Sequence, residues 1–176
     1  MRTPTFVQVN HTEDSAEILA ISVEYFHWMN GEIVRACNFS IPEIVGMPLD
    51  QYVQGTVATV CAGVPPEGVF YLMKEGGVTV GSGGLRRLPD GASEIVRIFT
   101  RPEFRGRGYG QQMLARLLGD ARDFGYAVVK LDTGKFMKSA HRIYESFGFV
   151  DCPPYEGAEA PRQLVPYWRY MSRSLD

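Results

Sequence analysis

The sequence predicts an α+β domain built around a mixed sheet, and three observations carry that expectation. Residues 69–100, VFYLMKEGGVTVGSGGLRRLPDGASEIVRIFT, break into three short β-rich runs separated by Gly-Gly and Pro-Asp-Gly turns, as an antiparallel meander would. On both sides of that meander apolar residues recur at helical spacing. Further β-type runs then interleave with the later helices, which places strands and helices in one mixed arrangement.

Taken in chain order, TFVQVN at 5–10 alternates and reads as a short strand. From Asp14 to about Met29, Ile18, Ile21, Tyr25, Trp28 and Met29 share a helical stripe, with Thr12 or Asp14 as the cap. Residues 31–47 are mixed and give no clear element. Leu49 to about Ala62 reads as a second helix, stopped by the Pro-Pro-Glu-Gly turn at 65–68. After the meander, 109–124 form a helix ended by Gly125, 126–132 a strand, and 136–147 a helix ended by Gly148. FVDC and a run near YWRYMSRSL complete a strand pair, joined by the Pro-rich loop CPPYEGAEAPRQLVP; loops of that length are usually functional or mobile. The order is β-α-α-β-β-β-α-β-α-β-β.

Composition narrows the function classes. A chain of 176 residues with 45% hydrophobic residues is expected to make one domain, 1–176, with a substantial core. A net charge of −2 offers no global positive field for nucleic acid or an anionic membrane. Cys37, Cys61 and Cys152 are odd in number and far apart in sequence, which argues against a disulfide framework or a zinc cage and for small core residues. His11 and His27 have no partner at ligand spacing, so no metal is expected. The N-terminus lacks an apolar run after its one arginine and no 18 apolar residues are consecutive, so the expectation is a cytoplasmic protein without a membrane span.

The densest chemical signal is RPEFRGRGYG at 101–110, three arginines and three glycines between a strand and the helix marked by Met113, Leu114, Leu117 and Leu118. Backbone amides of such a turn can converge on an anion, and the helix N-terminus adds about half a positive charge. Arg105 and Arg107 could pair with further phosphate oxygens. A P-loop is excluded because the turn runs into Gln111 and Gln112 rather than Lys and Ser or Thr. A Rossmann turn is excluded because Gln111 stands where the third glycine belongs and the preceding strand lies in a hairpin series.

Arg105, Gly108 and Gly110 after a strand ending IFTRP, followed 34 residues beyond Gly110 by Tyr144 in AHRIYESFGF, form a set that resembles the GNAT superfamily of acyl-CoA-dependent N-acyltransferases. The resemblance spans about residues 69–150. It implies a largely antiparallel central sheet flanked by helices, with acetyl-CoA as co-substrate. It further implies that the pyrophosphate rests on the amides of Arg105, Gly106, Arg107, Gly108, Tyr109, Gly110 and Gln111, and that pantetheine pairs with the strand at Ile98, Phe99 and Thr100. Many members carry an asparagine seven residues before the tyrosine; this chain has Met137 there, so one side-chain hydrogen bond to the cofactor is missing. LDT at 131–133, Met137, and FGF followed by PPY mark a branch without indicating an acceptor. Many relatives form dimers, which leaves a homodimer open here.

Acyl transfer to an amine needs a general base, because an ammonium has no lone pair. Glu94 is the first candidate: with strict alternation it shares a face with Val96, Ile98 and Thr100, a setting that raises a carboxylate's pKa, unless a bulge alters the parity. Its structural alternative is an ion pair with Arg97 or Arg86. Asp132, at the end of the following strand, is the second candidate, although it shares parity with Lys130 and could face water. Tyr144 lies on the stripe of Phe136 and Ala140, so a core tyrosine is its ordinary alternative. The resemblance implies that its phenol assists the departing thiolate. Cys152 has no base near it in sequence to support a ping-pong route. The aromatic helix residues Tyr25, Phe26 and Trp28 and the loop residues Tyr155 and Glu156 are the expected borders of an amine pocket. The expected reaction is direct attack of a small-molecule or protein amine in a ternary complex. A catalytically silent acyl-CoA sensor or scaffold is the rival reading.

Overall fold

The structure is a computed structural model that describes residues 3–175. Seven strands, β1 (Thr5–Gln8), β2 (Val69–Glu75), β3 (Val78–Arg87), β4 (Ser93–Thr100), β5 (Val128–Gly134), β6 (Val150–Asp151) and β7 (Trp168–Ser174), form one sheet in the order β1-β2-β3-β4-β5-β7-β6. Every neighbouring pair is antiparallel except β4 with β5, which is parallel. Helices α1 (Ser15–Cys37), α2 (Ile41–Val45), α3 (Leu49–Val60), α4 (Tyr109–Asp123) and α5 (Lys138–Ser146) flank it.

Alternation along β2 shows how the sheet buries both faces. Val69, Tyr71 and Met73 pack with Met113, Leu114, Leu117 and Leu118 of α4, while Phe70 and Leu72 pack with Ile18 and Ile21 of α1 and Val60 of α3. A third cluster, of α1, α2 and α3 with Leu164, Trp168 and Tyr170, extends the α1 face toward the C-terminal strand.

Several expectations shift. Helix α1 continues eight residues past Met29, because Ile33 is wholly buried and Asn30 accepts from the Ile41 amide at 2.7 Å instead of ending the helix. The mixed stretch 31–47 contains α2, started by a reciprocal cap in which the Ser40 and Glu43 side chains each bind the other's backbone N–H. Strand β5 begins at Val128, and the loop before β7 contains a short 3-10 turn, Arg162–Tyr167.

The largest correction lies in β4. The pairing register with β3 slips between Ser82 and Gly84, and Arg97 sits at φ 52° as the extra residue of a bulge. Alternation therefore resets: Ile95 and Ile98 face α4, whereas Val96 and Phe99 face α1. Ile98 does not share the face of Glu94 and Val96, as strict parity would have it.

Gly81 lies opposite Thr100 beside this bulge, and a Cβ there would stand 2.4 Å from the Phe99 carbonyl oxygen, an atom of the backbone. Gly81→Ala is expected to cost about 1–3 kcal/mol, the usual range for forcing one extra carbon into a packed site. A matching fall in the denaturation midpoint at unchanged m-value is the check.

Candidate active site

β4 and β5 are joined only at Ser93↔Val129 and Glu94↔Lys130. Beyond that point β4 bulges at Arg97, while β5 keeps its ladder with β7 as far as Gly134↔Trp168. The two strands part, and side chains from both sides of the sheet reach the gap.

On one side of the gap lies a groove of about 700 Å³ between the end of β4, the start of α4 and α5. Nine of the ten residues expected to hold the cofactor line it: Ile98, Phe99, Thr100, Arg105, Gly106, Gly108, Tyr109, Gly110 and Gln111. Gly106 and Gly108 have φ of 78° and 77°, a conformation side chains resist, and Gly108 is the N-cap of α4 with no side-chain cap. The first α4 amide engaged is that of Gln112, on the Gly108 carbonyl at 3.0 Å. Among the described residues the amides of Gly106, Gly108, Gly110 and Gln111 have no hydrogen-bond acceptor. The turn thus offers several N–H donors and a helix N-terminus to whatever occupies the groove.

The two arginines of the turn part company. The Arg105 guanidinium lies 4.5 Å over the Trp28 ring, and its Nε donates to the Thr100 carbonyl at 3.0 Å. No described carboxylate is within ion-pair distance of it, and burial pulls its pKa below the ordinary arginine value. Arg107 instead turns outward onto Phe104 and pairs with Glu75 at 3.1 Å. Its side chain is outside the groove.

A second, smaller cavity of about 70 Å³ lies on the other side of the gap. It is walled by Tyr25, Phe26, Tyr52, Arg97, Asp132, Tyr144, Glu159 and Trp168, with Ile98 and Met137 shared with the groove. The two spaces meet at those shared residues. Met137, in the asparagine's place, starts α5 and accepts from the Thr133 hydroxyl at 3.6 Å.

Asp132 and Tyr144 thus stand in one cavity. Asp132 Oδ2 accepts from the Ala160 amide and Oδ1 from the Trp168 indole, both at 3.1 Å, and among the described residues no cation pairs with it. Burial, followed by the charges of Glu94 and Glu159, pushes its pKa up to about 7. Burial and the neighbouring Asp132 charge push the Tyr144 phenol up to about 12, so it remains a donor through the neutral range. Asp132 is partly exposed, and the Ala160 amide and the Trp168 indole cover its two carboxylate oxygens.

Glu94 is only 1% exposed and differently employed. Its Oε2 accepts from Arg86 Nε at 2.8 Å and Nη2 at 2.5 Å; its Oε1 accepts from the Tyr155 hydroxyl at 2.9 Å and the Glu159 amide at 3.3 Å. Burial raises its pKa and Arg86 opposes the rise. Glu94 does not line the cavity with Asp132 and Tyr144.

Sequence reasoning missed Arg97 and Glu159. Arg97 Nε donates to Glu159 at 2.7 Å, Nη2 to the Thr56 hydroxyl at 2.8 Å and Nη1 to Cys61 at 3.5 Å. An arginine inside the apolar run IVRIF was the available signal; Glu159 carried none. Two cations, Arg86 and Arg97, therefore face three carboxylates, Glu94, Glu159 and Asp132. The carboxylate without a cation is the cheapest of the three to protonate, which agrees with the rise at Asp132. Of the expected pocket borders, Tyr25 and Phe26 line the cavity, Trp28 lines the groove, and Tyr155 supports Glu94. His141 Nε2 lies 3.0 Å from the Gly134 carbonyl and outside both spaces.

Comparison with known proteins places this geometry in context. Residues 31–149 match the model of the acetyltransferase (GNAT) family. The uncharacterized N-acetyltransferase YsnE of Bacillus subtilis is 33% identical over 92 residues, 51% of this chain and 61% of that protein, so the chain spans less than two thirds of this relative's length. Among solved structures, a GNAT-family acetyltransferase from Staphylococcus aureus aligns with TM-score 0.70 at 17% identity, over 99% of this chain and 100% of that one. PaiA N-acetyltransferase from Thermoplasma acidophilum, in complex with coenzyme A, aligns with TM-score 0.70 at 11% identity, over 98% and 99%.

Proposed function

Because the chain belongs to the acetyltransferase (GNAT) family, we propose that residues 1–176 act as one N-acetyltransferase domain, moving an acetyl group from acetyl-CoA to a primary amine by direct attack. The observation that carries this reading is the meeting of two spaces at Ile98 and Met137: a groove rimmed by unengaged amides, and a cavity holding a raised-pKa carboxylate beside a phenol.

The residues present fit acetyl-CoA. The amides of Gly106, Gly108, Gly110 and Gln111 and the unpaired Arg105 would hold its pyrophosphate, and the edge of β4 at Ile98, Phe99 and Thr100 would receive the pantetheine arm. The bound thioester supplies an activated acyl carbon and a thiolate leaving group.

Asp132, rather than Glu94, takes the proton from the acceptor's ammonium, since a carboxylate with a pKa near 7 is both ionised and basic enough at neutral pH. The freed nitrogen lone pair forms the C–N bond as the C–S bond breaks, the departing sulfur accepts a hydrogen bond from Tyr144, and the new amide nitrogen loses its remaining extra proton to water. The Tyr144 hydrogen bond strengthens as charge develops, so full proton transfer from the phenol is unnecessary. Glu94, held by Arg86 and Tyr155, instead supplies negative charge that keeps the Asp132 pKa high. Such chemistry suits the cytoplasm, where acetyl-CoA is available.

Incubation with acetyl-CoA and a pooled amine library, read by thiol release and product mass, tests the reading. Tyr144→Phe should lower kcat by about 10²-fold with little change in KM, as expected when a donor acts mainly in the transition state. Tight CoA binding with no amine-dependent thiol release across the library would favour the silent binding module.

A further inference from the structure

On the reading that the Asp132 cavity receives the acceptor, we propose that the acceptor is a small primary amine on an apolar body that carries no carboxylate. Three features of the wall lead there.

Arg97 is the only cationic side chain lining the cavity among the described residues. Its charge is already paired with Glu159 through Nε, and one N–H of each of Nη1 and Nη2 is held by Cys61 and Thr56. An α-carboxylate, two bonds from the reacting nitrogen, would therefore lie beside Asp132 and Glu159 with no unpaired cation to receive it. Like charges so placed are strongly disfavoured where water is largely excluded.

The ammonium itself is well matched. Among the described residues Asp132 has no cation of its own and accepts only from the Ala160 amide and the Trp168 indole. Much of the remaining wall is apolar or aromatic, Phe26, Ile33, Ile44, Tyr52 and Leu164 among it, with Thr133 as a further polar residue. Such a surface favours hydrocarbon and offers few partners to a polar body. The cavity's about 70 Å³ limits that body to a small one, which disfavours a peptide backbone.

Matched acceptors small enough for the cavity isolate the carboxylate: propylamine against 2-aminobutyrate, and ethylamine against alanine, with a single-lysine peptide alongside. With acetyl-CoA saturating, each amine should exceed its amino acid in kcat/KM by at least about 100-fold, and exceed the peptide. Glu159→Gln removes the charge that occupies Arg97, and should shrink the amine-to-amino-acid ratio by at least about 10-fold. If that variant fails to fold, by circular dichroism, the wild-type ratios decide alone. Amino acids turned over as well as amines, or a peptide preferred to both, overturns the proposal while leaving acetyl transfer intact. If CoA binds but no acceptor reacts, acetyl transfer fails instead. Calorimetry of propylamine and 2-aminobutyrate on the CoA-bound protein then judges the pocket, with binding of the amino acid as tight as that of the amine counting against it.

Discussion

Asp132→Asn is expected to lower kcat by about 10²–10⁴-fold, the range associated with losing a general base. In the wild type, kcat should show an ascending acid limb, because Asp132 must lose its proton to act; burial with two acidic neighbours holds that proton to about pH 7 in the unliganded protein, and a bound ammonium moves the limb toward acid. The variant should lose this ascending limb altogether. Measuring kcat at saturating amine is essential, since it reports groups in the ternary complex rather than the free amine's own ionisation. Glu94→Gln provides the contrast. Its Arg86 partner would be left without a carboxylate, so stability should drop, yet the limb should persist and move to lower pH as one source of negative charge beside Asp132 disappears. A limb lost in Glu94→Gln and retained in Asp132→Asn would reverse the assignment.

Glu159→Ala should destabilise the fold by about 3–5 kcal/mol, the scale seen when one partner of a buried ion pair is removed. The Arg97 side chain is 1% exposed, and without Glu159 its guanidinium keeps, among the described residues, the Thr56 hydroxyl, the weakly accepting Cys61 sulfur and the face of the Phe26 ring, with no anion to pair it. Replacing it with Gln, which retains an acceptor oxygen, should cost less than replacing it with Ala. Urea denaturation at constant pH measures both. A second readout links this pair to the chemistry: Glu159 helps raise the Asp132 pKa, so any Glu159→Ala protein that folds should show its pH limb displaced toward acid. Losses equal to those of an exposed surface substitution would show that Arg97 finds water or another acceptor.

Much of the architecture was written locally. The meander was legible because its strands are short, β-rich and separated by Gly-Gly and Pro-Asp-Gly turns. The groove was legible because Gly106 and Gly108, followed by a strongly periodic helix, specify a turn whose amides have nowhere else to go. Tyr144 was marked by its spacing from that turn. The extension of α1 past Asn30-Gly31 was not legible, since it depends on Ile33 finding a core and Asn30 finding the Ile41 amide. Arg107 also misled: a second arginine in a phosphate-like turn has no local reason to choose Glu75, which lies 32 residues earlier.

By itself, then, the chain's order of residues determined the kind of sheet, the turn that opens toward an anion, and the candidate acid and base residues by type. The tertiary structure decided which carboxylate is left without a cation and which is paired, the difference on which the proposed choice of base rests. Asp132 and Glu94 look alike on isolated strands, each flanked by uncharged residues, Leu131 and Thr133 in one case and Ser93 and Ile95 in the other. They differ because Ala160 and Trp168, 28 and 36 residues further along, close over Asp132 without bringing a cation, while Arg86 crosses from β3 to neutralise Glu94. Proton affinity in a buried site is set by the dielectric and the charges that distant segments bring to it, and neither is a property of the strand that carries the residue.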